Sequence, residues 1–404
     1  MAVKLDKIFD SFSQNSIFNS KSVLQTNYTP ETIPHRDKQI KQIAAIMGPT
    51  LRGEKPSNLF IYGKTGTGKT LSMQYIQDEL LKRAKEQGIP LTIEYINCKL
   101  KKVADTEYRI MAELLKKLGF SVPSTGLPTD QIYNKFVDEI DKKKQLIVIV
   151  LDEVDQIVKK VDNNFLYNLT RLNAELKNAQ ISVVGISNDL QFLDNVDPRI
   201  KSSLSEEEIV FSPYDALQLQ DILRERAEKA FKKGVIVGPV IEKCAAYAAR
   251  EHGDARRALD LLRIAGEIAE REGSLKVEEA HIDKAKEKIE KDKILDIVQT
   301  QPKQFQLVLL SIIKLTERTE KTRDKIYTGD IYNIYQNYCQ QTATDVLTQR
   351  RVGDIIAEFD MLGIINAKVI SQGRYGRTRE ISLLIPPPLM DKTNEIIYSS
   401  LGLK

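Results

Sequence analysis

The most constraining feature of this chain is the stretch of residues 63–70, which reads G-K-T-G-T-G-K-T and fits the pattern G-x-x-x-x-G-K-[ST]. It follows a short apolar run at residues 59–62, typical of a buried strand, and precedes a segment, residues 71–87, predicted to be helical. The glycines let the backbone curl around a phosphate, and the helix places its positive N-terminal end behind it. This context predicts a nucleotide site rather than a chance glycine-rich turn.

The loop residues have expected roles in binding ATP or ADP. Lys69 is predicted to reach the β- and γ-phosphate oxygens, and the hydroxyl of Thr70 is a predicted Mg²⁺ ligand. The predicted nucleotide contacts extend along Gly63, Lys64, Thr65, Gly66, Thr67, Gly68, Lys69, Thr70 and Leu71.

Length and composition indicate an ordinary soluble protein of two or three domains. The chain has 404 residues, of which 42% are hydrophobic and 29% charged. Its longest apolar run, residues 146–151, is too short to cross a bilayer, and its N-terminus has no signal-peptide pattern. The three cysteines lack metal-ligand spacing, which predicts reduced, structural thiols. A net charge of +4 permits nucleic-acid binding without arguing for it.

An acidic pair, Asp152 and Glu153, follows the β-branched run at residues 146–151. Such a run is typical of a strand buried on both faces, and α/β sheets bind ligands at the carboxyl ends of their strands. Asp152 is expected to hold Mg²⁺, directly or through water, and Glu153 to polarise the attacking water. Surface acids often follow strands, so the prediction depends on the glycine-rich loop upstream.

Three further polar residues are candidates, and two of them have a simpler alternative. Asn188 follows a predicted strand at residues 181–187, where it can orient water or contact the γ-phosphate, or cap the next turn. Arg199, after a helix-breaking Pro198, can reach a neighbouring subunit's phosphate or be a solvated surface arginine. Arg256 lies in a predicted first helical turn, which the helix dipole disfavours, so a nucleotide phosphate is a candidate partner.

Other segments complete the predicted order of elements. Residues 1–25 are predicted to form an extended arm. The proline-rich loop at residues 28–36 can pack on a base or serve only as a docking loop. Further predicted strands are 91–97 and 208–211, and further predicted helices are 37–51, 99–118, 131–141 and 303–317, with a turn-rich insertion at 119–130. Residues 214–291 are predicted to be helical, with a charged, solvated helix at 276–293 leading out of the domain.

The last hundred residues predict three helices followed by a hairpin, the winged-helix arrangement. Thr348 is the predicted N-cap of the third helix, whose apolar stripe faces the core and leaves Gln349, Arg350 and Arg351 exposed where a recognition helix meets base edges. The hairpin of residues 364–370 and 377–385 is predicted to carry the basic and aromatic residues Arg374, Tyr375, Arg377 and Arg379 at or near its tip. Binding duplex DNA is the favoured interpretation, and docking to a protein is the alternative.

These motifs, in this order, resemble those of the AAA+ replication initiators of archaea, which are relatives of the eukaryotic origin recognition complex and of Cdc-type helicase loaders. The resemblance covers nearly the whole chain and is carried by residues 63–70, 151–153, 187–188, 197–204 and 253–259, with 28–36 and 350–363. It implies an α/β fold with a parallel five-stranded sheet in an AAA+ P-loop domain, a helical lid and a C-terminal winged helix.

The resemblance also implies roles for individual residues. Lys69 and Thr70 match Walker A, Asp152 and Glu153 Walker B, Asn188 sensor 1, Arg256 sensor 2 and Arg199 the arginine finger. The residues that would surround the adenine or complete the nucleotide site are Tyr28, Ile33, His35, Arg36 and Tyr214. The insertion at residues 105–130 lies where this family carries an element that touches DNA.

The implied domains are an arm at residues 1–25, a base domain at 26–212, a lid at 213–293 and a winged helix at 294–404. The implied function is an ATP-dependent initiator that binds double-stranded origin DNA and helps recruit an MCM-type replicative helicase. Other initiator subunits are implied partners, no membrane is involved, and the expected location is the cytoplasm, at the nucleoid. Two other interpretations stay open: an ADP-retaining DNA-binding regulator with little turnover, and a clamp-loader-like ATPase.

Overall fold

The computed structural model describes residues 16–26, 28–99, 106–122, 128–160, 163–192, 196–319, 325–371 and 377–403. The chain divides into two compact units, Met1–Ile282 and Asp283–Lys404. None of the helices in the described ranges combines the length and the apolar character that a membrane span requires.

A five-stranded parallel sheet forms the centre of the first unit. Its strands are β1 (Leu59–Gly63), β2 (Leu91–Asn97), β3 (Gln145–Asp152), β4 (Ala179–Ser187) and β5 (Glu207–Phe211), in the spatial order β2-β3-β4-β1-β5. The strands β1, β3 and β4, whose ends carry the glycine-rich loop, the acidic pair and Asn188, are therefore neighbours. Because parallel strands end at the same edge, this order brings the three motifs together.

Helices cover both faces of this sheet. They are α1 (Asp37–Met47), α2 (Lys69–Gln87), α3 (Glu107–Lys117), α4 (Thr129–Ile140), α5 (Asp155–Lys160), α6 (Asn163–Arg171) and α7 (Pro198–Leu204). Alternation along β3 sends Ile147 and Ile149 into one apolar cluster, with α3 and α4, and Val148 and Val150 into the other, with α1 and α2. The strand is thus buried on both faces, as its β-branched run predicts.

Three helices form a lid after the sheet: α8 (Ala216–Ala230), α9 (Val240–Arg250) and α10 (Ala255–Arg271). Asp215 and Gln218 form a capping box at the start of α8, and the Asp254 carboxylate accepts two backbone N–H groups at the start of α10. The helix α11 (Glu279–Thr300) then runs out of the first unit.

Residues 16–24 pack on the lid, whereas the sequence predicted that they belong to an extended arm. Residues 1–15 lie outside the described ranges, and residues 16–24 contact α8 and α10. Phe18 stacks on Phe231 with ring centroids 4.6 Å apart, and the backbone N–H of Asn19 donates to the carbonyl of Ala230 at 2.8 Å. A short 3₁₀ helix, Lys21–Leu24, follows, because burial of its apolar side chains outweighs the polar composition of the segment.

The second unit has the predicted three-helix and hairpin core. Its elements are α12 (Lys303–Thr319), β6 (Ile326–Tyr327), α13 (Thr328–Gln341), α14 (Gln349–Met361), β7 (Ile365–Ser371), β8 (Arg377–Leu383) and α15 (Pro387–Leu401). The strands form an antiparallel sheet in the order β6-β8-β7. Val352, Ile355, Ile356 and Phe359 of α14 are fully buried, which confirms this part of the predicted apolar stripe. Leu362, which was also predicted to belong to the stripe, is 39% exposed, because the helix ends at Met361 and Leu362 follows its last turn.

Several predicted boundaries were wrong, each for a tertiary reason. The charged helix predicted at 276–293 begins at Glu279 and extends to Thr300, because Leu295 and Val298 are buried in the core of the second unit. Pro198 does not break a helix but occupies the first position of α7, where its missing N–H has no cost.

Other differences concern whole elements. The helix predicted at residues 99–118 is described only over Glu107–Lys117, and the insertion predicted to be turn-rich ends in the first turn of α4. The strand β6 and the helix α15 were not predicted. The helix α15 begins at the prolines 387 and 388, which lack the backbone N–H groups that the first turn of a helix leaves without partners.

Candidate nucleotide site and candidate DNA-binding surface

The side chain of Lys69 lies at the centre of the glycine-rich loop. Its ammonium group donates to the carbonyls of Gly63 and Lys64, both at 2.7 Å, and to Oδ1 of Asn188 at 2.8 Å. Burial is the main cause that lowers the pKa of Lys69 to about 8, and the nearby Asp152 opposes the shift. A buried cation that donates to these three neutral oxygens fits a site built for an anion.

A second cluster surrounds Asp152, whose carboxylate is buried at the end of β3. The hydroxyl of Thr70 donates to its Oδ2 atom at 2.8 Å, and the phenol of Tyr95, on β2, donates to the same oxygen. A hydroxyl beside a carboxylate is the oxygen set that Mg²⁺ prefers, so Thr70 and Asp152 would hold the ion as predicted. Burial, followed by the charge of Asp152, raises the pKa of Tyr95, which keeps its phenol a donor.

The backbone of Glu153 has a left-handed conformation, with φ of 56°. Its N–H donates to Oδ1 of Asp152 at 2.9 Å, and its carboxylate lies 3.7 Å from the ammonium group of Lys99. A non-glycine residue in this conformation is uncommon and is held by its surroundings. The turn orients Glu153 toward the cleft that it lines with Asp152.

These groups line a cleft of about 450 Å³. Its walls come from the loop, the strand ends, the lid and residues 25, 26 and 28–34, which are here called the strap. Gly66 and Gly68 of the loop have left-handed backbone conformations, with φ of 67° and 89°, and a Cβ at Gly66 would lie 1.7 Å from the Asp254 carboxylate. The open cleft, the buried ammonium group and the oxygen pair together fit a nucleoside triphosphate with Mg²⁺.

The lid contacts the loop directly at the start of α10. Asp254 accepts from the hydroxyl of Thr65 at 3.3 Å, and the N–H of Ala255 donates to the carbonyl of Gly66 at 3.2 Å. The imidazole of His252 lies 3.2 Å from the ammonium group of Lys64. Arg256, the residue after Ala255, lines the cleft together with Asn188 and Leu71. The structure therefore brings the predicted sensor residues and the loop to one cleft.

The residues predicted to surround the adenine or to complete the nucleotide site divide into two groups. Tyr28, Ile33 and Tyr214 line the cleft. His35 and Arg36 are not among its lining residues. The imidazole of His35 instead lies 3.0 Å from the carboxylate of Asp221.

Arg36 is buried behind the loop. Its guanidinium donates to the carbonyl of Thr67 at 2.8 Å and to that of Ser212 at 2.7 Å, and it stacks on the ring of Tyr214 at 3.8 Å. These two acceptors and the stacked ring account for its burial. Arg36 thus holds the wall of the cleft in place.

Arg199 does not line the cleft of its own chain. Its guanidinium makes a bidentate contact with Asp197, at 3.1 and 2.8 Å, and lies 5.1 Å from the ring centroid of Tyr167. This pairing lowers the pKa of Asp197 to about 2. The side chain of Arg199 is 66% exposed, which leaves it accessible to another molecule.

The second unit presents a basic helical turn. The hydroxyl of Thr348 accepts the N–H of Arg351 at 3.3 Å, which confirms the predicted N-cap of α14. Gln349, Arg350 and Arg351 are exposed in this turn, as predicted, and Arg351 has a weak contact of 3.8 Å with Asp354.

The hairpin next to α14 is described only in part. Arg374 and Tyr375 lie outside the described residues, as does the side chain of Arg377. Arg379, on β8, donates from Nη1 to the carbonyl of Gly353. This hydrogen bond connects β8 to α14, so Arg379 has a structural role in addition to its predicted one.

The cleft residues missed from the sequence include Tyr95 and Arg226, and Asp254, which contacts the glycine-rich loop beside the cleft, was missed as well. Tyr95 lies on an alternating strand and Arg226 in a charged helix, so neither has a local pattern that distinguishes it. Asp254 did carry a signal, because it precedes a predicted helix and neighbours Arg256. All three Cys residues are buried, and none of them forms a disulfide.

Comparisons with known proteins agree with this geometry. Family models described as an AAA domain, a Cdc6 AAA+ ATPase-type lid domain and a CDC6 C-terminal winged helix domain match residues 52–193, 220–287 and 296–393. Together they cover the strands β1 to β4 of the sheet, most of the lid and most of the second unit. The fold class predicted from the sequence is confirmed.

Relatives match over almost the whole chain. The ORC1-type DNA replication protein of Thermococcus onnurineus is 51% identical, over 95% of this chain and 92% of that protein, and the ORC1-type DNA replication protein 1 of Methanosarcina mazei is 49% identical, over 100% and 96%. The Aeropyrum pernix ORC1 protein, solved in complex with DNA, is 42% identical and matches with a TM-score of 0.85 over 96% of this chain and 99% of that one. On this sequence and structural evidence, the chain belongs to the ORC1-type DNA replication proteins, which have an AAA+ fold.

Proposed function

We propose that this protein is an ATP-dependent initiator that binds double-stranded origin DNA, acts with other initiator subunits and helps recruit an MCM-type helicase. One observation carries the proposal: Lys69, Thr70, Asp152, Glu153, Asn188 and Arg256 line one cleft in a chain that also presents a basic N-terminal turn on α14. The Aeropyrum pernix ORC1 protein, solved with DNA, supports the DNA-binding part.

The residues of the cleft suit slow hydrolysis of ATP. Lys69 would exchange its carbonyl acceptors for phosphate oxygens, and the N–H groups of the loop would donate to the same phosphates. Bound Mg²⁺, held by Thr70 and Asp152, would neutralise charge that develops on the phosphates. Glu153 would accept the proton of the attacking water, and Asn188 would orient that water or contact the γ-phosphate.

The lid would report which nucleotide is bound. Arg256 and Asp254 begin the same helix, and Asp254 already contacts Thr65 of the loop. A contact between Arg256 and the γ-phosphate would pull α10 toward the base domain, and hydrolysis of ATP would release α10 again. The bound nucleotide then sets the angle between the base domain and the lid, so that the two domains act as a two-state switch.

One observation favours the ADP-retaining regulator as a second candidate. Arg199, the predicted arginine finger, is paired with Asp197 and does not line the cleft of its own chain. Stabilising the transition state would therefore need the Arg199 of a neighbouring subunit, because nothing in this pairing places it at the chain's own phosphates. Turnover by an isolated chain is then expected to be slow.

The proposal is tested by comparing Glu153→Gln with the unchanged protein. We expect Glu153→Gln to bind ATP with unchanged affinity and to lose about 100-fold or more in turnover, because it keeps the shape of the site and removes the base. Glu175→Gln, in the same unit, serves as the control. Equal turnover of the Glu153 variant would refute the catalytic assignment, and ADP that stays bound to the unchanged protein through purification, without turnover, would favour the regulator. A footprint across the replication origins of its own genome tests the DNA-binding part.

A further inference from the structure

The cleft extends from the phosphate-binding loop into a region bounded by the strap and the lid. Its lining there combines apolar and aromatic side chains with uncharged polar ones and one carboxylate: Tyr28, Pro30, Ile33, Ile222 and Leu259, with Thr26, Thr29, Thr32 and Glu225. Such a lining suits a flat heteroaromatic ring better than a charged phosphate. One cation, Arg226 of α8, lies among these residues.

Arg226 is buried, with a relative exposure of 7%. Its guanidinium carbon lies 4.5 Å from the ring centroid of Tyr28, and Nη1 donates to the carbonyl of Val23 at a long 3.4 Å. The adjacent carboxylate of Glu225 pairs with Lys229 at 2.9 Å, and it opposes the lowering of the Arg226 pKa through its charge. Among the described residues, Arg226 therefore has one long hydrogen bond and one stacked ring for a group with five N–H donors.

A buried guanidinium in this position is unfavourable without a further partner. Removing a cation from water is costly, and neither a carbonyl at 3.4 Å nor a phenol ring offsets that cost fully. Burial correspondingly lowers the pKa of Arg226. A nucleotide base would supply both a π face and ring nitrogen acceptors, which are the two kinds of partner that guanidinium groups prefer in apolar surroundings.

We propose that Arg226, supported by the ring of Tyr28, binds the base of the nucleotide and so determines how much of the binding energy comes from the base. The inference rests on the proposed nucleotide site. It assigns a binding role to a lid residue outside the glycine-rich loop, the strand ends and the start of α10. Because Arg226 belongs to α8 and Tyr28 to the strap, the base joins these two segments.

The competing explanation is that Arg226 only fastens the strap to the lid through Val23 and Tyr28. The two explanations differ in how they treat a ligand without a base. If Arg226 binds the base, its substitution lowers the affinity for ADP but not the affinity for inorganic tripolyphosphate, which fills only the phosphate end of the cleft. A fastening residue affects both ligands equally, because it acts through the shape of the cleft.

The experiment measures the affinities of the full-length protein for ADP and for inorganic tripolyphosphate, both with Mg²⁺, by calorimetry. For Arg226→Met we expect ADP affinity to fall about tenfold and tripolyphosphate affinity to change less than about twofold. Arg224→Met is the matched control, because Arg224 lies on the same helix but pairs with Glu242 at 2.8 Å outside the cleft; it should change neither affinity. Lys69→Ala should lower the affinities for both ADP and tripolyphosphate.

Two outcomes would overturn the inference. One is an unchanged ADP affinity in Arg226→Met, and the other is an equal loss for both ligands. If the methionine variant does not fold, as judged by thermal unfolding, Arg226→Lys provides the same comparison with an expected ADP-specific loss of about threefold, because lysine keeps the charge but not the planar donor set. A wild-type protein that binds tripolyphosphate but not ADP would also contradict it, whereas failure to bind either ligand would refute the proposed nucleotide site itself.

Discussion

The two candidate phosphate-binding regions of this protein are built in opposite ways. In the nucleotide cleft, Lys69 and Asp152 are buried, and neighbouring groups already hold their polar atoms. On α14, Gln349, Arg350 and Arg351 are exposed at the first turn. A small ligand that must be held in one geometry needs preorganised groups, whereas a long polyanion can be attracted by flexible surface charge. Nucleotide affinity should therefore depend strongly on single side chains of the cleft, whereas DNA affinity at α14 should depend strongly on the salt concentration.

The largest effect is expected for Lys69→Ala. It removes a buried cation with three hydrogen bonds, so ATP affinity should fall by about 100-fold or more. DNA affinity measured without nucleotide should not change. Titration with a fluorescent ATP analogue measures the first quantity, and Lys85→Ala, on the same helix, is the control. ATP affinity within a few-fold of the unchanged protein would contradict the account of the cleft.

The next effect is expected for the double variant Arg350→Ala with Arg351→Ala. Each arginine that contacts a phosphate contributes about one unit to the slope of log affinity against log salt concentration, so the slope should fall by up to about two. Affinity for origin DNA should fall about tenfold near physiological salt, with ATP affinity unchanged. Anisotropy titrations at several salt concentrations give both numbers, with Lys392→Ala as the control. An unaltered slope would show that the turn does not meet DNA.

The pH dependence of ATP binding follows from the lowered pKa of Lys69, about 8. Phosphate binding favours the protonated form and raises this pKa, so the complex takes up a proton when it forms above pH 8. ATP affinity should therefore be highest below the pKa of the free protein and fall by up to about tenfold per pH unit above it. Calorimetry in buffers of different ionisation enthalpy measures the proton uptake. Affinity that stays constant from pH 7 to about 9.5 would contradict the assignment.

A smaller effect is expected for Tyr95→Phe. This substitution removes one hydrogen bond to Asp152 and leaves that of Thr70, so the Mg²⁺ concentration needed for half-maximal ATP binding should rise about fivefold. Tyr62→Phe is the matched control, because its phenol donates to Glu208 on the neighbouring strand β5. A Mg²⁺ requirement that is the same in both variants would mean that Tyr95 does not position Asp152.

The comparison of the two regions also explains what the sequence could predict. The glycine-rich loop, the acidic pair and the stripe of α14 are local patterns, in which the chemistry and the backbone conformation depend on neighbouring residues. The residues at 63–70 and 152–153 could therefore be assigned to one site from their pattern alone. The apolar core of α14 was predictable for the same reason.

The remaining features depend on contacts between distant segments. No local pattern distinguishes the roles of Arg36 and Arg226. Arg36 donates to the carbonyls of Thr67 and Ser212, whereas Arg226 lines the cleft. The end of α11 depends on a core that includes Leu295 and helices far along the chain. Burial of this kind has no local signature, since the partners lie many residues away.

The most direct test of the switch is the affinity for duplex origin DNA with ATP, with ADP and without nucleotide, measured alongside the affinity for each nucleotide with and without DNA. Linkage requires that ATP change DNA affinity by the same factor by which DNA changes ATP affinity. We expect the affinity for DNA to differ about fivefold or more between the ATP-bound and the ADP-bound protein. This difference should disappear in Lys69→Ala. Equal DNA affinity in all three nucleotide states would contradict the proposal that the nucleotide in the cleft controls the DNA-binding unit.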